Sequence, residues 1–241
     1  MNTTYFIDAI REHGYKISLG NGLGNRFNLL LFLSKYNLPF VWELDDNISE
    51  SYEGIIDFSA VDIDVSCRKD DDRVLNMSKY PGFKPYVKDT SLDNFGGWNT
   101  KWFSTGVDFN ILKNLKPGSK TRQLMLDLPE DTVGYSIRRH WGKKLPYDLF
   151  DVPHDCFLTT DCEEQRKHSS NAIQLHDGGS YTVNNITSVT CLSKVVADWF
   201  QLRACKKIHT LGYASTYTEA LCIYKHLDMN IVVHGRYMFD V

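Results

Sequence analysis

Hydrophobic and polar residues near the start of the chain follow the pattern of a strand, a helix and a second strand. The strands are expected at residues 15–19 and 40–44, and an apolar helix from about Arg26 to Tyr36 follows a glycine cluster after the first strand. A strand, a glycine turn, a helix and a further strand form a βαβ unit, which predicts a parallel sheet. The helix is apolar almost all round, so we expect neighbours to cover more than one of its sides.

The C-terminal part of the chain has the clearest periodicity. Val133, Tyr135 and Ile137 occupy alternate positions, which is the period of a strand. Further strands are expected at residues 156–160, 207–211 and 231–233. A helix is predicted to start near Thr216, because Thr216 and Glu219 can form a capping box. An amphipathic helix is predicted from the spacing of Leu192, Val195, Val196, Trp199 and Leu202.

The middle of the chain, residues 50–129, is rich in Asp, Lys, Gly and aromatic residues and has few clean periods. We expect irregular elements that complete a first lobe, followed by a linker near Lys116-Pro117-Gly118, since Pro and Gly punctuate local structure. A chain of 241 residues has room for one large domain or two compact ones. The sequence therefore predicts an α/β protein with an N-terminal lobe over residues 1–130 and a C-terminal lobe over residues 131–241.

Composition and charge narrow the class of protein. The chain is 42% hydrophobic and 24% charged, as globular domains are, and its net charge of −3 gives no reason to expect a nucleic-acid partner. No run approaches the roughly 20 apolar residues of a membrane span, and residues 1–4 lack the features of a secretory signal. The six cysteines form no C-x-x-C pair and are expected to be free thiols. These features predict a cytoplasmic protein without a membrane span.

Polar and charged residues follow four of the predicted strands. In open α/β sheets, ligands bind at the carboxyl ends of the strands. Arg138-Arg139, Asp161 and Ser215-Thr216-Tyr217 follow three strands of the second lobe, and the glycine-rich segment from Gly20 to Arg26 follows the first strand of the first lobe. Together they predict one crevice in which the arginines bind a diphosphate, Asp161 accepts hydrogen bonds from a base or ribose, and the glycine segment lets a ligand approach the backbone.

The same segments resemble, in order and rough spacing over about residues 18–225, the motifs of the fucosyltransferase superfamily, which includes α1,6-, α1,2- and protein O-fucosyltransferases. Gly22 to Phe27 resembles a G-L-G-N-[RQ] segment, Ser136 to Arg139 an H-x-R-R segment, and Phe157 to Asp161 a strand that ends in T-D or S-D. The stretch from Ala197 to Ala220 resembles the helix, strand and S-x-F-S segment that close the donor site.

The resemblance implies two facing Rossmann-like lobes of a reduced GT-B-like fold and an inverting transfer, from a GDP-sugar to a glycan or other hydroxyl acceptor, that requires neither a metal nor a further cofactor. Fucose is the expected sugar. By position, Arg138 would contact the donor diphosphate and act as the catalytic residue, and Ser215, Thr216 and Tyr217 would contact the phosphates. Asp161 would accept from the guanine edge. The remaining donor-binding residues would close the cleft from the first lobe: Gly22, Gly24, Asn25 and Arg26.

The chain departs from the family pattern in three ways. Ser136 stands where the family has His, and His140-Trp141 stands where a Thr-Asp pair is common. No carboxylate directly follows the arginine pair to match the base credited in some relatives. A base could come from Glu43, Asp45 or Asp46 after the second strand, or none could be needed.

Three other functions remain open from the residues alone. Gly20-x-Gly22 after a strand, with Glu43 at the end of the next, partly matches the dinucleotide fingerprint of an NAD-dependent oxidoreductase, although Asn25 replaces the third glycine. Asp62-Ile63-Asp64 could be the D-x-D metal pair of a single-lobe sugar transferase. The five Trp, thirteen Tyr and thirteen Phe could serve a non-enzymatic carbohydrate-binding module. A zinc site from His154, Cys156 and Cys162 fits no standard ligand spacing.

Overall fold

A computed structural model describes residues 3–14, 16–18, 23–41, 53–62, 65–66, 74–76, 108, 110–138, 149–160, 162–175, 192–212 and 231–234. The helices in these residues are α1 (Thr3–His13), α2 (Leu23–Lys35), α3 (Asn110–Asn114), α4 (Ser119–Leu124), α5 (Glu163–His168) and α6 (Leu192–Ala204). The strands are β1 (Lys16–Ser18), β2 (Phe40–Val41), β3 (Ile56–Asp57), β4 (Val65–Ser66), β5 (Val74–Asn76), β6 (Lys116–Pro117), β7 (Val133–Arg138), β8 (Phe157–Thr160), β9 (Lys207–Gly212) and β10 (Ile231–His234).

The predicted βαβ unit is confirmed as β1, α2 and β2. Ile17 pairs with Phe40 in parallel register, as the crossover through a helix requires. The helix begins at Leu23, three positions earlier than the pattern suggested. It ends at Lys35, shortly before Asn37 (φ 50°), since Asn tolerates the left-handed conformation that stops a helix. β4 and β5 complete a four-stranded parallel sheet in the order β4-β2-β1-β5.

The second sheet contains the four strands that were predicted near the C-terminus. Its order is β10-β9-β7-β8, and every neighbouring pair is parallel. If β7, β8, β9 and β10 are numbered 1 to 4, the order across the sheet is 4-3-1-2. The connection from β7 to β8 therefore runs in one direction across the sheet, and the connection from β8 to β9 runs back in the other. Two parallel sheets with helices between their strands confirm the α/β class.

The expected linker at residues 116–118 is wrong, because these residues are paired and packed. β6 forms an antiparallel pair with β3, and the Gly118 N–H donates to the carbonyl of Ile55 at 2.8 Å. Thr121, at the start of α4, is buried and donates its hydroxyl to the same carbonyl at 2.6 Å. A Pro-Gly pair marks a local break in periodicity, but here the chain on both sides of the break is held by residues about sixty positions earlier.

The predicted helix at 192–202 is confirmed as α6, but its amphipathic character is not. Every residue from Val195 to Leu202 is buried, including Asp198 and Gln201. One side of α6 covers the second sheet, where Leu202 and Cys205 lie against Gly134 of β7. On the other side of α6, Trp199 contacts Phe27 of α2. A helix between two layers has no solvent face over its central turns, which explains the difference.

The other face of the second sheet packs on the segment around α5. Ile137, Leu158 and Ala172 form a buried cluster, and Tyr135, Phe150 and Val152 pack against it. Gln165 of α5 is fully buried and fixes this layer, since its side-chain amide donates to the Phe150 carbonyl at 2.7 Å and accepts from the Phe150 N–H at 2.9 Å. Both faces of β7 are thereby covered, so the strand that ends at Arg138 is held from two sides.

Candidate functional site

Arg138 is the last residue of β7, at the carboxyl edge of the second sheet. Its register partner across the neighbouring parallel strand is Gly212, the last residue of β9. The strand order reverses direction between β7 and β9, so this pair lies at the topological switch point of the sheet. A switch point is where ligands bind in open α/β sheets, because the two flanking connections leave on opposite faces and open a crevice. Residue 212 is a glycine, so no side chain stands at the position paired with Arg138.

The other donor-binding residues predicted in the second lobe lie outside the described residues. These are Asp161, Ser215, Thr216 and Tyr217. The strands that precede them are described, and β8 ends at Thr160 directly before residue 161. The Thr160 hydroxyl accepts from the Cys162 N–H at 3.2 Å, which fixes the chain on the two sides of residue 161. The predicted helix near Thr216 and its capping box also lie outside the described part of the chain.

The glycine segment precedes α2 and includes its first residues. Gly22 lies outside the described residues, whereas Gly24 and Asn25 belong to the first turn of the helix. The Arg26 side chain is 2% exposed, so in this arrangement it belongs to the interior. The next residue, Phe27, is fully buried against Trp199 of α6, with ring centroids 4.5 Å apart and planes inclined at 44°. This contact could not be predicted from the sequence, because periodicity marks both rings as core without saying which core residue meets which.

The direction of α6 places its first residues near the carboxyl edge of the second sheet, where β7 ends. Leu202 in its last turn and Cys205 directly after it lie near Gly134, early in β7, and the Lys206 N–H donates to the Thr132 carbonyl at 2.9 Å. The helix therefore runs opposite to the strands. Two strand residues rise about 7 Å, which equals four to five residues of helix. Trp199 thus lies roughly level with Ser136, and the start of α6 is near the level of Arg138.

Two further side chains of α6 fasten residues 112–126 to it. The Arg203 guanidinium donates to the carbonyls of Leu112 at 3.2 Å and Leu115 at 2.7 Å, and also to that of Lys113. It lies over the rings of Trp199 and Phe200, at 5.9 Å and 5.4 Å from their centroids. The Gln201 amide exchanges two hydrogen bonds with the backbone of Leu126, at 2.8 and 3.2 Å. These were not among the residues singled out from the sequence.

A row of hydroxyl side chains crosses the second sheet beneath α6. Ser136 is paired in register with Thr159 on one side and Thr210 on the other, and all three are buried. Among the residues with described side chains, the Ser136 and Thr210 hydroxyls have no hydrogen-bond partner. Ser136 is the position at which the resembled family has His. Its small side chain is fully covered by the helix, so a contact from residue 136 to a base is not available in this arrangement.

Two of the described cysteines, Cys156 and Cys205, are unsuited to nucleophilic or metal chemistry. Cys156, Cys162 and Cys205 are free. Burial raises the pKa of the Cys205 thiol to about 12, and burial followed by the nearby Asp155 raises the pKa of Cys156. Burial also raises the pKa of Tyr135, with a smaller effect from Cys156. With raised pKa values, Cys156 and Cys205 stay neutral at physiological pH. Since only a thiolate attacks an electrophile or binds a metal, both are inert.

The metal alternatives find no assembled site in the part of the chain that the structure describes. No group of three His, Cys, Asp or Glu side chains there is placed to hold an ion. Asp62 is exposed, and its D-x-D partner Asp64 lies outside the described residues, as do the candidate bases Glu43, Asp45 and Asp46. Each helix in the described residues is too short or too polar to cross a membrane.

Comparison with protein-family models, with curated proteins and with solved structures returned no match.

Proposed function

We propose that this chain is a glycosyltransferase that moves a sugar, with fucose as the expected sugar, from a GDP-sugar to a glycan or other hydroxyl acceptor. One observation carries the proposal. The arginine that the sequence singled out ends β7 opposite Gly212, at the switch point of a parallel sheet. An arginine paired in register with a glycine at such a point suits an oxygen-rich anion, because the fork of guanidinium N–H groups matches phosphate oxygens and a glycine would let them approach the backbone.

In the proposed reaction, an acceptor hydroxyl oxygen attacks the anomeric carbon from the face opposite the leaving group. The bond from that carbon to the diphosphate oxygen breaks, and the hydroxyl proton leaves to a base or to solvent. Negative charge grows on the departing diphosphate, and Arg138 would stabilise it more in the transition state than in the ground state. With Ser215, Thr216 and Tyr217 at the phosphates and Asp161 at the guanine, the site would not require a divalent ion.

The two-lobed, GT-B-like arrangement is part of the proposal. It is supported by two separate four-stranded parallel sheets, each with a direction reversal in its strand order. The first sheet would face the second across the donor, with Gly22, Gly24 and Asn25 on the acceptor side of the cleft, whereas the Arg26 side chain is buried and would not line it.

A thermal-shift screen tests the donor class. GDP and GDP-fucose at about a hundred times their Kd should stabilise the native state by ~2.7 kcal/mol, and UDP should have no effect. At 2–4 °C per kcal/mol for a chain of this length, the expected rise in Tm is roughly 5–10 °C. The matched control is Arg138→Ala, which should keep the wild-type Tm without nucleotide and lose most of the shift. No shift with any guanine nucleotide would contradict the proposal.

A nicotinamide-dependent oxidoreductase remains the second candidate, and one observation favours it. The first sheet has the order β4-β2-β1-β5, which numbered along its own strands is 3-2-1-4, the order of the dinucleotide-binding fold. The glycine segment follows β1 at the switch point of that sheet. NAD belongs in the same screen, since stabilisation by NAD alone would select this function.

A further inference from the structure

Two buried hydroxyl groups lie side by side in the second sheet. Ser136 of β7 and Thr210 of β9 are direct partners in the parallel register, so their side chains leave the sheet on the same face, about 5 Å apart. Ser136 is 0% exposed and Thr210 is 2% exposed. Within the part of the chain whose side chains are described, the two hydroxyls bond neither to each other nor to any other group. Polar atoms therefore face each other in the interior without a hydrogen bond between them.

This face of the sheet is the one that α6 covers. Gly134 lies two residues before Ser136, hence on the same face, and a β-carbon on Gly134 would lie 3.0 Å from Leu202 of α6. Asp198 is four residues before Leu202, so it lies on the same side of the helix, about 6 Å nearer to the helix start. Ser136 lies about 7 Å beyond Gly134 along the strand. Because α6 runs opposite to the strands, Asp198, which is 8% exposed, lies over the row that contains Ser136.

The surroundings of the two hydroxyls suit a water molecule. A hydroxyl that is buried without a partner is costly, and native proteins satisfy the great majority of buried polar atoms with protein groups or ordered water. A buried water needs two to four polar partners. Ser136 and Thr210 supply two of them. The carboxylate of Asp198 can accept a third hydrogen bond in addition to the interaction that it already has, because a carboxylate offers about four acceptor sites.

We infer that Ser136 and Thr210 bind one internal water molecule, which bridges their hydroxyls beneath α6. Both hydroxyls donate to the water oxygen, and the water donates to the carboxylate of Asp198. The site lies two residues before the register pair of Arg138 and Gly212, so it belongs to the interior below the switch point. It is separate from the proposed donor site, and the inference does not depend on the proposed function.

The sign of a change in Tm tests the inference. Thr210→Val removes the hydroxyl and keeps the shape of the side chain. It leaves both the water and the Ser136 hydroxyl with fewer partners, so the Tm should fall by roughly 3–8 °C. The matched control is Thr132→Val. Thr132 is 5% exposed and its hydroxyl has no partner in the described part of the chain, but the residue paired with it across the strands is the exposed Lys206, so no second hydroxyl stands beside it. Thr132→Val should leave the Tm unchanged or raise it, because it removes an isolated buried polar group.

Crystal structures of the wild type and of Thr210→Val give a direct measurement. The wild type should show one water about 2.8 Å from both hydroxyl oxygens, and the variant should show none at that position. A wild-type structure without this water would overturn the inference, as would a Thr210→Val protein that melts at or above the temperature of the wild type. A density peak with several oxygen contacts near ~2.4 Å would identify a cation instead of a water and would also overturn it. If Thr210→Val does not fold, the wild-type structure alone decides.

Discussion

Gly118→Ala tests whether residues 116–118 are a packed strand or a free connection. Gly118 has φ −69° and ψ 175°, an extended conformation that alanine adopts without strain. A β-carbon there would lie 2.2 Å from the Gly54 carbonyl oxygen and 2.4 Å from its carbon, and these are backbone atoms that no side-chain rotation can move. The substitution therefore changes one contact and leaves the local torsion preference satisfied.

The expected cost follows from this geometry. Relief of the overlap requires a backbone shift of about 1 Å, and overpacking of this kind costs roughly 1–3 kcal/mol. The same shift breaks or lengthens the hydrogen bonds from Gly118 N–H to Ile55 O (2.8 Å) and from Lys120 N–H to Gly54 O (2.9 Å), at about 1 kcal/mol each. Alanine returns about 0.4–1 kcal/mol by restricting the unfolded chain. The net loss is ~2–4 kcal/mol, or a fall in Tm of roughly 5–15 °C.

Calorimetry of the wild type and two variants measures this. Gly14→Ala is the matched control, since Gly14 has φ 63° and is exposed, so alanine there meets torsional strain without the backbone clash of Gly118. It should cost about 1 kcal/mol. A fall in Tm of less than 2 °C in Gly118→Ala corresponds to a loss of under about 1 kcal/mol by the same conversion. That result would refute the packing of β6 on β3 and favour the linker that the sequence predicted at residues 116–118.

Three further predictions concern the site and its surroundings. Arg138→Ala should lower turnover with a GDP-sugar at least a hundredfold, from a loss of about 3 kcal/mol in transition-state stabilisation, and Arg138→Lys should recover little of that turnover. The control Arg139→Ala should mainly lower Tm. Near-normal turnover in Arg138→Ala would refute the donor site. Transfer should survive EDTA, whereas activity restored by manganese after its loss would favour the Asp62-Ile63-Asp64 alternative. Folding favours the neutral thiol of Cys205, so its contribution to the free energy of unfolding is complete below about pH 9 and is lost as pH rises toward its folded pKa of about 12, by up to ~1.4 kcal/mol per pH unit. In urea unfolding between pH 8 and 11, the free energy of unfolding should fall more steeply with pH for the wild type than for Cys205→Ala. Equal slopes for the two proteins would contradict this prediction.

The sequence by itself determined the strands and helices whose pattern repeats within a few residues. The alternation of Val133, Tyr135 and Ile137 predicted β7 and placed Arg138 at its carboxyl end, and the glycine cluster between two apolar segments predicted the first βαβ unit. These features follow from local geometry, because side-chain direction repeats every two residues in a strand and every 3.6 in a helix. The short strands β4 and β5 were not predicted, because they lie in the segment from residue 50 to residue 129, whose sequence shows few clean periods.

Only the tertiary structure decided which elements meet. Register, not periodicity, brought Gly212 opposite Arg138, and strand order made that pair a switch point. The sequence suggested one buried stripe on α6, yet every residue from Val195 to Leu202 is buried, because Trp199 meets Phe27 from one layer while Leu202 meets β7 from the other. Apolar patterning records that a side chain leaves water. The pattern does not indicate which residue the side chain contacts, because the free energy gained by burial depends on the area removed from water and hardly on which apolar surface covers it.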